Sequence, residues 1–119
     1  MNRPEQVFQR AVVQFLDAAL RDCIWFHCPN GGGRSKAEAG ILKSMGVRAG
    51  VADLVIINEF GRVHFIELKA GKGSLSPAQK AFRAECGRLS IPWSECRTLA
   101  EVEGTLAGWG FTPKARIAA

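Results

Sequence analysis

The chain has 119 residues, 47% of them hydrophobic and 23% charged, which are the proportions of one folded domain around one core rather than of a disordered segment. No run of about 18 apolar residues occurs, so no membrane-spanning helix is expected. Sixteen Lys and Arg against eleven Asp and Glu leave a net charge of +5, a balance that favours a polyanionic partner.

The start, Met1-Asn-Arg-Pro-Glu-Gln6, lacks the apolar middle of a signal peptide, so a cytoplasmic setting is expected, with the four cysteines as thiols. A first helix is predicted from about Arg3 to Arg21, its apolar stripe carried by Phe8, Val12, Phe15, Leu16 and Ala19. Cys23–Cys28 reads as a short buried strand, and Pro29-Asn-Gly-Gly-Gly-Arg34 as a turn-rich loop. Ser35 with Glu38 caps a short helix running through Met45, and Gly46 stops it. Val51–Asn58 and Val63–Lys69 are two β-branched apolar runs joined as a hairpin. Ser76-Pro77-Ala78-Gln79 opens a second long helix with cap, first-turn proline and capping-box partner in place. Ile91–Cys96 is a last strand, and Thr98 with Glu101 caps a final helix ending near Gly108-Trp-Gly110. The tail after about residue 111 is expected to be loose. This order predicts a single α/β domain, a sheet with helices on its faces.

The hairpin carries the chemistry. Strand side chains alternate, so Glu67 and Lys69 share one face while Leu68 points to the other. A three-residue loop with Gly61 in the left-handed conformation sets Asp53 directly across from Glu67. Two facing carboxylates repel and weaken the pairing, and a divalent cation between them reverses that sign. With Lys69 one pleat further on, the group is suited to hydrolysing a phosphodiester. The competing reading is two solvated acids with Lys69 as an ion-pair partner, but the flanks Leu54, Val55, Ile66 and Leu68 are all apolar. Magnesium fits such a site, being a hard ion that takes oxygen ligands from one or two carboxylates, and manganese is expected to substitute.

Five segments in this order resemble the VRR-NUC (virus-type replication-repair nuclease) domain of the PD-(D/E)XK nuclease superfamily. They are the Glu5-bearing helix, Pro29-Asn-Gly-Gly, Gly46-Val-Arg-Ala-Gly-Val-Ala-Asp53, Phe65-Ile-Glu-Leu-Lys69 and Leu75-Ser-Pro-Ala-Gln79-Lys80. The resemblance runs from about Glu5 to the strand at Ile91–Cys96. One departure is Ala52, where members usually have proline before the aspartate. The resemblance implies a restriction-endonuclease-like fold with a central mixed sheet flanked by helices. It also implies a magnesium-dependent DNA endonuclease that cuts by in-line attack of water, leaving 5′-phosphate and 3′-hydroxyl ends. Metal ligands would be Asp53, Glu67 and the Leu68 carbonyl, with Glu5 reaching the metal or its waters. Small stand-alone members look like homodimers acting on branched DNA such as four-way junctions, in a repair or phage setting.

Two of these residues have structural explanations as well. Glu5 keeps step with the apolar stripe, but Asn2 and Glu5 also have capping-box spacing. Gln79 is the capping partner of Ser76, whereas the resemblance gives a glutamine there a place in the water or metal shell. Lys69 either deprotonates the attacking water or holds the phosphate by charge. Arg34, Lys36, Lys43, Arg48 and Lys72 surround the glycine-rich loop and the hairpin, and about half of them are expected to meet DNA phosphates rather than form a solvated face. No base-reading helix stands out, so recognition would follow nucleic-acid shape. Cys23, Cys28, Cys86 and Cys96 include no Cys-x₂-Cys pair and read as small core residues rather than a zinc site. His27 beside the loop is placed to face the substrate groove, on the weak evidence of a single histidine, and Trp25, Trp93 and Trp109 read most simply as core or interface anchors. The rival function is a non-catalytic nucleic-acid-binding module that keeps the fold; a cysteine-based zinc or redox protein is weaker.

Overall fold

The helical spacing of Val12, Phe15, Leu16 and Ala19 winds Pro4–Ala19 into α1 and buries those four side chains. The computed structural model describes residues 4–29 and 35–111. Asn2, Arg34, most of the glycine-rich loop and the tail after Phe111 therefore lie outside the described residues. After α1 come β1 (Ile24–His27), α2 (Lys36–Ser44), β2 (Leu54–Ile57), β3 (Val63–Leu68), α3 (Pro77–Arg88), β4 (Trp93–Cys96) and α4 (Leu99–Gly108).

The strands form one mixed sheet in the order β1-β2-β3-β4, antiparallel except for the parallel β3–β4 pair. Parallel neighbours need a crossover, and α3 supplies it. Alternation then divides the sheet. Leu54, Ile56, Ile66, Leu68 and Cys96 face the main core, packed with Val12, Leu16, Val102 and Leu106 from α1 and α4. On the opposite face Phe82 and Cys86 of α3 pack with Ala52, Phe65 and Trp93. The result is an α/β arrangement, a mixed sheet flanked by helices. Among the described residues, no helix is long and apolar enough to cross a membrane.

The hairpin turn follows its sequence closely. Gly61 sits at φ +81, and its N–H donates to the Asn58 carbonyl at 3.0 Å. The Asn58 side chain accepts from the N–H groups of Phe60 and Arg62, both at 2.9 Å. This three-residue loop fixes Ile57 opposite Val63 and Leu54 opposite Ile66.

Two expectations are corrected. The Cys23–Cys28 strand is shorter, Ile24–His27, and it is not buried: Ile24 and Phe26 are exposed because β1 is an edge with a single neighbour. Residues 51–53 do not join the β2 ladder, which begins at Leu54. The short helix α2 forms where the Ser35 cap is expected to place it, with Ser35 Oγ accepting from the Glu38 N–H at 3.1 Å, and it buries no side chain.

Candidate active site

Continuing the register of Leu54 with Ile66 by one residue puts Asp53 opposite Glu67, on the face away from Leu68. The ladder stops there for a specific reason. The Leu68 N–H, which a continued antiparallel ladder would give to backbone, instead donates to Oδ2 of Asp53 at 2.7 Å. Asp53 is thereby clamped across the strands, half-buried, with its carboxylate at the β3 backbone. Its own carbonyl accepts from the Cys28 N–H at 2.8 Å and from the His27 ring at 2.8 Å. A carbonyl can only accept, so the proton of that imidazole lies on Nδ1.

Glu67 is only 2% exposed. Burial disfavours its charge, and the neighbouring Asp53 carboxylate adds to this, so its carboxyl is pushed up to about 8. Lys69 works in the other direction, its Nζ standing 4.0 Å from Glu67 Oε2.

Gln79 combines the two roles the sequence offered. Its Oε1 accepts from the Ser76 N–H at 2.8 Å, while its backbone N–H donates to Ser76 Oγ at 3.1 Å, completing the capping box. The amide's other end is therefore Nε2, which donates to Glu67 Oε2 at 3.2 Å. The segment leading into β2 approaches the start of α3 closely at Gly50. At φ +83, Gly50 lies against the Ala78 carbonyl, and a Cβ there would also come within 2.8 Å of the Gln79 nitrogen. The sequence set His27 beside the groove but gave no sign of its bond to the Asp53 carbonyl, nor of the part played by Gly50, because both act on residues distant along the chain.

Glu5 is not on a buried face. It is exposed, in the first turn of α1. Its angular phase matches Val12, but burial along the helix begins only at the half-buried Phe8, the first residue of α1 that packs against the core. Among the predicted cations, Lys36, Lys43 and Lys72 are exposed. Arg48 is engaged elsewhere: it is paired with Glu85 of α3 and stacked 5.3 Å over the Phe82 ring. Arg34 lies outside the described residues. Cys86 and Cys96 are buried, and burial pushes both thiols up, away from reactivity.

The donor set fits a hard divalent cation. Two carboxylates face each other, one of them sealed from water, where burial and its neighbour's charge disfavour ionisation more than Lys69 favours it. Among the described residues, no three of His, Cys, Asp and Glu converge, so any further ligands would be backbone oxygen or water.

Comparisons with known proteins bear on the family and the fold. The family model of the VRR-NUC domain matches residues 5–99. Among solved structures, a "VRR_NUC domain protein" superposes with a TM-score of 0.67 at 22% identity, covering 92% of this chain and 90% of its own. A second, described as "VRR_NUC domain", gives a TM-score of 0.61 at 14% identity, covering 91% of this chain and 99% of its own. At such identities these likenesses concern the fold. No curated protein matches.

Proposed function

This chain belongs to the VRR-NUC family and carries a nuclease-type domain, and we propose that it is a divalent-metal-dependent endonuclease hydrolysing DNA phosphodiester bonds, with branched DNA such as four-way junctions as its preferred substrate. The observation that carries the reading is the opposition of Asp53 and Glu67 with Lys69 4.0 Å from the latter. A binding module has no use for a carboxylate pair buried where phosphate would have to approach.

Asp53, Glu67 and the Leu68 carbonyl would hold magnesium, or manganese in its place, with Glu5 acting through water. When bound, such an ion supplies Lewis-acid stabilisation of the phosphate and lowers the pKa of water. The chain's own groups do the rest. Asp53, pinned by Leu68 N–H and backed by His27, presents a fixed oxygen. Gln79 holds Glu67 in one rotamer through Nε2. Lys69, three-quarters or more shielded along its side chain, offers its ammonium to the scissile phosphate or its attacking water. Lys36, Lys43 and Lys72 would neutralise flanking phosphates. One small domain with one site calls for two copies to cut two strands symmetrically, which supports a homodimer.

The test is a panel of fork, flap, single-stranded, duplex and four-way DNA substrates incubated with magnesium, manganese or EDTA. Paired nicks in the four-way junction, dependent on metal, are expected. A chain that binds these DNAs yet cuts none in any metal would be the non-catalytic module instead.

A further inference from the structure

The β4 strand repeats the chemical pattern of β3. Phe65-Ile-Glu67-Leu-Lys69 and Trp93-Ser-Glu95-Cys-Arg97 both place an aromatic ring, a glutamate and a base at alternate positions. The two strands are parallel and in register, Phe65 beside Trp93 and Glu67 beside Glu95. The ladder continues one step further, the Lys69 N–H donating to the Cys96 carbonyl at 3.1 Å. Arg97 therefore comes alongside Lys69 on the same face, about one strand spacing (~4.8 Å between backbones) away.

From this arrangement we propose that Arg97 is a substrate-binding residue, anchoring the phosphate next to the one held at Lys69. The inference rests on the nuclease reading and extends the site across β4. Arg97 is exposed, its side chain 38% accessible, and its guanidinium is already oriented. One terminal nitrogen donates to Glu95 at 2.5 Å, and the other donates to the Gly71 carbonyl at 3.2 Å. Those contacts use two of its five N–H groups, and a planar fork can hold a carboxylate on one edge and a phosphate on another. An exposed ion pair of this kind adds little stability by itself, so its geometry has more to do with orientation than with holding the fold.

The pair also solves an electrostatic problem. Asp53, Glu67 and Glu95 stand in a row across three strands, and an uncovered Glu95 would repel an approaching backbone. Arg97 covers it. Through Gly71 the same guanidinium fastens the loop that follows Lys69 and carries Lys72, so three basic residues are brought to one margin of the site.

Equilibrium binding in EDTA separates this role from a structural one. A fluorescein-labelled four-way junction and a duplex of equal length are titrated with the whole chain over a range of salt concentrations. Arg97→Ala and Arg97→Gln are each expected to reduce the slope of log K against log salt by about 1, the signature of one lost phosphate contact, and to weaken binding about tenfold at low salt. Arg97→Lys should keep the slope, and Glu95→Gln should keep it with equal or tighter binding. A thermal melt of each variant reports folding. If Arg97→Gln folds and binds with the original slope, the inference is overturned and the nuclease reading stands. If the unaltered chain binds neither probe, both fall.

Discussion

Replacing Glu67 with glutamine should stabilise the metal-free protein, by an amount that depends on pH in a defined way. In the folded chain the carboxyl ionises at about 8, against 4.5 for an unhindered glutamate. The folded state therefore holds this proton longer than the unfolded state. Its contribution to stability is fully present below about 4.5 and is lost as pH rises through about 8. At about 1.4 kcal/mol per pH unit, the loss is about 3 kcal/mol at pH 7 and about 5 kcal/mol once complete at pH 9. Against a whole-domain stability of roughly 5–15 kcal/mol this is a large fraction. Glu67→Gln keeps the shape and an acceptor for Gln79 but cannot ionise. Urea unfolding in EDTA should thus give near-equal stabilities for the two proteins at pH 5 and a widening advantage for the variant up to pH 9. Taking the difference between the proteins cancels every other titrating group. Parallel stability curves across that window would refute the claim that this carboxyl is forced to stay neutral.

Metal should act on the same proton: affinity for manganese is expected to rise about tenfold per pH unit below 8, with close to one proton released on binding, as calorimetry in buffers of different ionisation enthalpy would register. pH-independent affinity would count against Glu67 as a ligand. Gly50→Ala would force a Cβ against the Ala78 carbonyl at a left-handed φ, so a cost of about 1–3 kcal/mol and a fall in cleavage rate are expected, read by thermal melting and single-turnover kinetics. Unchanged melting would show that the close approach at Gly50 is not tight. His27→Phe removes a donor from the Asp53 carbonyl, and a loss of about 1 kcal/mol with slower cutting is expected; full activity would remove His27 from the account. His64 titrates in the opposite direction from Glu67. Its burial between Trp109 and Phe111 lowers its pKa, so the stability it contributes is present above 6.5 and lost as pH falls below that. An acid limb that disappears in His64→Leu would bear this out, and one that persists would not.

The pairing of Asp53 with Glu67 was legible in the sequence because it depends on local rules alone: strand alternation, and a loop length fixed by Gly61. The caps at Ser76 and Thr98 were legible for the same reason. Burial was less so. Glu5 has the angular phase of the buried stripe, but phase says nothing about where along a helix the packing begins. The apolar content of β1 suggested a buried strand, although its place at the sheet edge is decided by pairing partners that lie 30 or so residues away. The attachment of Arg48 to Glu85, and the contact of Gln79 with Glu67, are likewise long-range. In the case of Gln79 the sequence posed a choice between cap and site that the folded amide does not have to make, since its two ends serve different partners.

The account is tested most directly by single-turnover cleavage of a labelled four-way junction at saturating manganese, comparing the unaltered chain with Lys69→Ala while manganese affinity is measured on both. It predicts that the variant binds metal about as well and cuts at least roughly 100-fold more slowly. Cleavage by Lys69→Ala at the original rate would contradict it.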